Sequence, residues 1–386
     1  MADRRKIGLI YNYDENWIGG TYYIQNLISA LNLVTDDKKF HIIIFTSNPA
    51  DFETLISKIK YPYISYRNYL KEFNLIERAV NKLNRNLFNR NYFDRFHKDI
   101  DIVFPGAHED MFRKQQQFLY WIPDFQEHFL PEFFTKDEIK NRKNYQERII
   151  ENAKHILFSS ESVQKDFNTL YPLNKLDQFV VRFAVTHDLS ENSGTHNSKY
   201  QLPGKYFMCS NQFWKHKNHG IVLRAIHFLK NKGLEVFVVF TGKEHDYRNP
   251  EYYDDLKQQI SDLEISDNVK FLGFIDRSEQ LVLMKNSLAV IQPSKFEGWS
   301  TVIEDAKALS VTIIATGIEV HKEQLQSYPT YYLFDCENEE ELGSVMNGIL
   351  NTQLSKQDNV YDYPAQVNKF GHAFTNAINS LIDSRN

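Results

Sequence analysis

The sequence predicts an α/β protein built from two successive doubly wound domains, each a parallel sheet with helices on both faces. Three observations lead there. Short continuous apolar runs alternate with amphipathic stretches along the chain, as expected for strands buried on both faces. A polar stretch rich in Gly, Ser and Asn, THDLSENSGTHNSKYQLPG at 186–204, splits the alternation into two sets. The length, 386 residues with 42% hydrophobic content, suits two cores.

In the first set the strands are expected at 6–13 (KIGLIYNY), 41–47, 101–106, 117–124, 155–161 and 179–185, with helices at about 21–33, 68–90, 136–153 and 162–170. The second set has strands in KYFMCSNQF, EVFVVFTGK, VKFLGFI, LAVIQPS, VTIIAT and YYLFD. Its helices fall at about 218–232, 250–264, 277–286 and 299–309, and a last helix at roughly 364–384. The domains are drawn as 1–186 and 203–365, with 187–202 as the linker.

Composition narrows the function. A net charge of −5 provides no basic field for nucleic acid. Cys209 and Cys336 lie far apart with no CxxC or Cys/His metal pattern, which fits a reducing, cytoplasmic setting. The N-terminus, MADRRKIGLIYNYDENW, passes from a very short apolar run straight into polar residues and reads as a first strand, not a signal peptide. No stretch approaches the roughly 20 apolar residues that span a bilayer.

The most informative segment is LAVIQPSKFEGWSTVIEDAKALSVTIIAT (288–316), which reads as strand, tight loop, helix from about Trp299, and strand. Glu297 and Gly298 fall at the carboxyl end of a strand just before a helix N-terminus, where open α/β sheets bind ligands. A helix start suits a phosphate and a carboxylate suits a polyol, so the pairing points to a nucleotide sugar.

This segment resembles the signature of the retaining glycosyltransferases of family 4, a Glu followed after seven residues by a second Glu. Glu297 matches the first acid, and Asp305, preceded by Glu304, stands at the second. The resemblance implies that Glu297 holds the donor sugar and that Asp305, one methylene shorter, holds the ribose. Gly298, Trp299, Ser300 and Thr301 complete the implied donor loop. It also implies the GT-B architecture, with two Rossmann-like domains facing an interdomain cleft and the C-terminal helix (about 366–386) packed back on the first domain.

Other segments fall into place beside it. In SNQFWKHKNHG (210–220) Lys217 matches the family lysine that contacts the donor phosphates, while Asn211 stands where an Arg is usual, with Lys215 or His216 as substitutes for the missing charge. Gly19 and Gly20 in NYDENWIGGTYYIQNL (12–27) form a strand-to-helix loop that lets a backbone approach a phosphate. In YWIPDFQEHFLPEFF (120–134) Pro123 replaces the family His, leaving Asp124 as the cleft acid and His128 as an alternative. Phe274 in LGFIDRSEQL is placed against the nucleotide base. No metal is expected: Asp99 and Asp101 precede a strand, at the wrong end of the sheet, and His108–Glu109 lacks a third ligand.

Residues 71–98 are amphipathic and basic, with Phe73, Ile76, Val80, Leu83 and Leu87 at helical spacing among Arg78, Lys82, Arg85 and Arg90. Such a helix either lies on an anionic membrane or packs its apolar stripe on the sheet, and packing is the expectation taken. The function expected is thus a metal-independent, retaining transfer of a hexose-type sugar from a UDP- or GDP-type donor, with no further cofactor. The acceptor would be a glycan or lipid-linked glycan in bacterial surface polysaccharide or lipopolysaccharide synthesis, at the inner face of the plasma membrane. The alternatives are a catalytically silent binding or scaffold subunit, a sugar-nucleotide epimerase and a phosphorylase.

Overall fold

The computed structural model describes residues 4–13, 18–69, 74–88, 97, 99–109, 112, 116–187, 199–351 and 361–383. Part of the 12–27 segment, most of the 187–202 linker, and Phe73, Arg90 and the Leu87 side chain lie outside the described residues.

The first domain holds strands β1 (Lys6–Ile10), β2 (His41–Phe45), β3 (Ile64–Arg67), β4 (Ile102–Phe104), β5 (Gln117–Trp121), β6 (His155–Phe158) and β7 (Asp177–Val180). They form one parallel sheet in the order β3-β2-β1-β4-β5-β6-β7. Its helices are α1 (Ile18–Asn32), α2 (Pro49–Lys58), α3 (Leu75–Phe88), the single turn α4 (Gln126–Phe129), α5 (Lys136–Asn152) and α6 (Glu161–Leu170). The second domain holds β8 (Phe207–Ser210), β9 (Val238–Thr241), β10 (Val269–Phe271), β11 (Val290–Gln292), β12 (Ile313–Thr316) and β13 (Tyr331–Phe334), ordered β10-β9-β8-β11-β12-β13 and again parallel. Between these strands run α7 (His219–Asn231), α8 (Tyr252–Asp262), α9 (Arg277–Asn286), α10 (Thr301–Ala308), α11 (Glu319–Leu325) and α12 (Glu339–Asn351), and α13 (Tyr363–Asp383) closes the chain.

Strand β3 and helices α2, α4, α11 and α12 were not read from the sequence. β3 is an edge strand whose four residues are all half-buried, so it shows no apolar run. The start of α2 does carry a local signal, Asn48 as N-cap with Pro49 in the first turn.

Each core is dense in aliphatic and aromatic side chains. In the first, Tyr23 stacks on Trp121 with ring centroids 4.3 Å apart, and Phe370 of α13 meets the Tyr23 edge at 5.7 Å. Val367, Phe370, Phe374, Ile378 and Leu381 all join this cluster, so α13 belongs physically to the first domain. Each such buried side chain contributes roughly 1.5–3 kcal/mol. Gly371 lets α13 lie against α1, since a Cβ there would stand 2.5 Å from the Ala30 carbonyl oxygen.

Both sheets reverse their winding direction beside a first strand, between β1 and β4 in one and between β8 and β11 in the other. Ligands of doubly wound sheets bind at these switch points, beyond the strands' carboxyl ends. The loops after β8 and β11 meet the start of α1 there, bringing together Asn211–Lys217, Glu297 and Gly19–Gly20.

Helix α3 departs from expectation. Leu75 (82% exposed), Ile76 (74%) and Leu83 (61%) face water, while Glu77, Val80, Asn81 and Asn84 turn inward. Arg78, Lys82 and Arg85 are also exposed, beside the apolar stripe. Of the expected stripe, Ile76 and Leu83 are therefore not packed on the sheet, while Val80 turns inward with the more polar Asn81 and Asn84. Among the described residues no helix is long and apolar enough to cross a membrane.

Candidate active site

A cleft of about 770 Å³ opens between the two sheets, lined by both domains. Glu297, Asp124, Gly19, Gly20, Asn211, Lys217, Phe274, Gly298, Trp299, Ser300, Thr301 and Asp305 all border it. Residues more than 280 positions apart in sequence thus line one cleft.

The centre is built on the ends of β8 and β11. Lys217 Nζ donates to Glu297 Oε1 over 2.6 Å, and Gln292 Nε2 donates to the same oxygen over 2.8 Å. Gln292 in turn accepts from Asn211 Nδ2 at 2.9 Å through its own Oε1. Asn211 therefore orients Gln292, which orients Glu297. Thr316 and His321 lie behind this wall, fully buried and within hydrogen-bond distance of each other.

The helix starts differ from the simple picture of open N–H groups. Lys217 ends a short 3-10 turn, Asn218 follows in the left-handed region (φ 58°), and α7 begins one residue later. The first α7 N–H, that of His219, goes to the Tyr252 hydroxyl at 3.1 Å, which leaves the Lys217 ammonium as the main feature at that end. At the other helix the cap is Ser300: its Oγ accepts from Ile303 N–H at 3.3 Å, and its own N–H goes to Gln324 Oε1 at 3.1 Å. The helix starts at Thr301, two residues after the expected Trp299. The Thr301 and Val302 N–H groups keep no acceptor among the described residues, and both residues face the cleft.

Two residues expected only at the donor, Gly298 and Trp299, also join the domains. Gly298 lies so close to the first domain that a Cβ would stand 1.9 Å from the Pro123 carbonyl oxygen, and its own carbonyl accepts from Ser160 Oγ at 3.0 Å. Trp299 Nε1 donates to the Phe183 carbonyl at 3.1 Å, and its ring packs on the first core. Ser300 is committed to capping.

The two neighbouring acids on α10 point different ways. Glu304 is buried and accepts from Lys307 Nζ, Gln324 Nε2 and Tyr363 Oη, each at 2.8 Å, so it is locked away from the cleft. Asp305 is 1% exposed, with Arg277 Nη2 at 2.5 Å and His187 Nε2 at 3.2 Å, both on Oδ1. Burial pushes its pKa up, but Arg277 and His187 outweigh that and hold it below the ordinary carboxylate range.

Across the cleft, burial pushes the Asp124 carboxyl above its usual range against the pull of Arg142. Asp124 Oδ1 caps the Gln126 N–H at 3.1 Å. His128 does not substitute for it: the ring is exposed, lies against Phe129 and does not border the cleft. Phe274 is 58% exposed at the rim. Gly19 and Gly20 belong to the first turn of α1, not to a loop before it, and a Cβ at Gly19 would meet nothing within 4 Å. Asp101 accepts from the Lys6 N–H and Asp99 pairs with Arg67, both at the opposite end of the sheet. Among the described residues no group of three or more His, Cys, Asp or Glu is placed to hold a metal ion.

Sequence inspection missed Arg277 and Gln280. Arg277 opens α9, where the helix dipole disfavours a cation, and that misplacement was the available signal.

Comparisons with known proteins agree with this geometry. Residues 196–367 match the family described as "Glycosyl transferases group 1". It is similar to the O-antigen chain mannosyltransferase RfbU of Salmonella typhimurium, 26% identical over 188 residues, or 47% of each chain. The match thus spans about half of that relative's length. Among solved structures, Anabaena Alr3699/HepE in complex with UDP and glucose superposes with a TM-score of 0.65 at 15% identity over 99% of both chains. A glycosyltransferase from Rickettsia africae ESF-5 gives 0.65 at 16% identity, covering 99% of this chain and 98% of the other. Sucrose-phosphate synthase from Thermosynechococcus elongatus gives 0.60 at 15%, covering 98% and 95%. The fold is GT-B.

Proposed function

We propose that this chain transfers a hexose-type sugar, with retention of configuration, from a nucleotide-diphosphate sugar to a glycan or lipid-linked glycan acceptor in bacterial surface-polysaccharide synthesis. The observation that carries the proposal is the contact between Lys217 and Glu297 at the mouth of β8 and β11, inside the interdomain cleft. A carboxylate held by a cation and an amide accepts sugar hydroxyls, and the same cation faces the developing phosphate charge. HepE, with UDP and glucose bound in its own crystals, supports a donor of the uridine type, and the RfbU match supports a polysaccharide setting.

In this mechanism the bond from the anomeric carbon to the diphosphate oxygen breaks on the same face at which the acceptor oxygen bonds. The acceptor proton passes to the departing phosphate. Lys217 and the Thr301 and Val302 N–H groups stabilise the leaving charge, a pre-organised electrostatic role in which no metal is needed. Glu297 positions the sugar, Asp124 orients the acceptor hydroxyl, Asp305 Oδ2 meets the ribose, and Phe274 and the Gly19–Gly20 turn flank the nucleotide. The exposed apolar and basic faces of α3 rest on an anionic membrane, where a lipid-linked acceptor is reached.

Thermal unfolding with UDP, GDP, ADP and CMP, without metal, tests the donor site. A nucleotide at 100 times its dissociation constant adds roughly 2.7 kcal/mol of stability. Stabilisation by none of the four favours the silent binding subunit instead.

A further inference from the structure

The segment from Glu297 to Asp305 carries an ion pair at each end. Glu297 is held by Lys217 at one end and Asp305 by Arg277 at the other, with the unpartnered Thr301 and Val302 N–H groups between them. A sugar, a diphosphate and a ribose come in that order along a nucleotide sugar. With Lys217 at the sugar end, the nucleoside end of the wall carries a cation that sequence comparison does not assign.

Arg277 is anchored for such a task. Its Nη2 donates to Asp305 Oδ1 over 2.5 Å and its Nη1 to Gln280 Oε1 over 2.8 Å. Gln280 in turn donates to Ser210 Oγ at the end of β8, next to Asn211. The guanidinium is also centred 5.1 Å from the Tyr22 ring, which belongs to the opposite domain. Arginine has five N–H donors. Two are spent here, and the other three have no protein acceptor among the described residues. The side chain is 27% exposed and borders the cleft. A guanidinium anchored through one N–H on each Nη, with three N–H donors left, keeps enough donors to grip a phosphate through two of them.

We propose that Arg277 binds the nucleoside-proximal phosphate of the donor and supplies the positive charge that Asn211 does not, with Asp305 as its positioning residue. This rests on the proposed transferase site and goes further by assigning it a phosphate ligand. It makes the pair Asp305–Arg277 one recognition unit, in which the carboxylate serves the ribose through Oδ2 and the guanidinium serves the phosphate. Tyr22, facing Arg277 from the first domain, makes the unit complete only when the domains are together.

Calorimetric titration of the full chain tests this with the tightest-binding of UDP, GDP, ADP and CMP, set against the matching nucleoside. Arg277→Gln is expected to raise the Kd of the nucleotide at least tenfold while changing that of the nucleoside less than about twofold. Arg277→Lys, which keeps the charge but not the fork, falls between. Asp305→Asn weakens nucleotide binding too, and combining it with Arg277→Gln costs less than the two single effects multiplied together. A wild-type protein that binds a nucleotide tightly, with Arg277→Gln and Arg277→Lys unchanged or with nucleoside and nucleotide weakened equally, overturns this assignment alone. A wild-type protein that binds none of the four nucleotides overturns the donor site itself and this assignment with it.

Discussion

Lys217 Nζ and Glu297 Oε1 stand 2.6 Å apart although eighty residues separate them in the chain. The contact joins the loop after β8 to the loop after β11, the two central strands of the second sheet. It fixes a carboxylate and an ammonium against each other at the mouth of the cleft, the pair to which the proposed function gives the sugar and the diphosphate.

Replacing Lys217 with Met removes the charge while keeping much of the stem. Hydrogen bonds to charged groups are worth about 1.5–3 kcal/mol, so the variant should bind nucleoside diphosphate roughly 10- to 100-fold more weakly. Titration calorimetry reads the change. Unaltered affinity would place the diphosphate elsewhere.

Gly298→Ala tests the seam between the domains. The new methyl would stand 1.9 Å from the Pro123 carbonyl oxygen, a backbone atom that cannot swing aside. The interface must open, at a cost of about 1–3 kcal/mol, as for other overpacked contacts. Small-angle scattering should record a larger radius of gyration and turnover should fall, although no group proposed to touch the substrate has been removed. A variant with unchanged scattering and turnover would contradict the close approach.

Acid should destabilise the fold before any ordinary carboxylate titrates. Burial pushes His219 down to about 3 and His321 to about 4, from an ordinary value of 6.5. Both are neutral in the folded protein and protonate more readily when unfolded. Between pH 6.5 and those lower values the unfolded state therefore binds more protons, and stability falls as pH falls. Each contributes up to roughly 1.4 kcal/mol per pH unit inside its window. Urea midpoints at pH 7.5, 6.5, 5.5 and 5.0 should hold nearly level to 6.5 and then drop, and less steeply in a His321→Asn variant. A flat profile would mean that these rings are not buried as described.

The outward face of α3 gives a prediction about membranes. Leu75, Ile76 and Leu83 are exposed beside Arg78, Lys82 and Arg85. The protein should co-sediment with vesicles containing phosphatidylglycerol and not with purely zwitterionic ones, and salt should weaken the binding. Replacing all three apolar residues with Ser should abolish it while sparing nucleotide affinity. Failure of the wild-type protein to bind anionic vesicles would remove the membrane from the account.

Much of this was legible in the sequence because it is local. The six strands of the second sheet lie in short, mostly apolar runs, and the Glu297–Asp305 spacing lies within one loop and helix. What escaped depends on residues brought together only by folding. Asp305 looked like an open acid, yet it is held by Arg277 and His187, the latter from the first crossing between domains. Glu304, its neighbour on the helix, carries no local mark of its partners, yet Tyr363 from the second crossing takes it. Glu323 on α11 accepts the Glu161 and Ser162 N–H groups of α6 and pairs with Arg182, an interdomain contact with no local signature. The α3 stripe misled for a different reason: periodicity shows that a helix has two faces, but not which face meets the protein.

The most direct test of the central claim is donor turnover by Glu297→Gln, measured as release of nucleoside diphosphate from the nucleotide sugar whose nucleotide stabilises the wild-type protein. Glu297 is proposed to hold the sugar and not the nucleotide. The variant should therefore keep the wild-type nucleotide affinity and lose at least a hundredfold in turnover. Turnover equal to wild type would contradict a sugar-holding role for Glu297 and, with it, the active site described here.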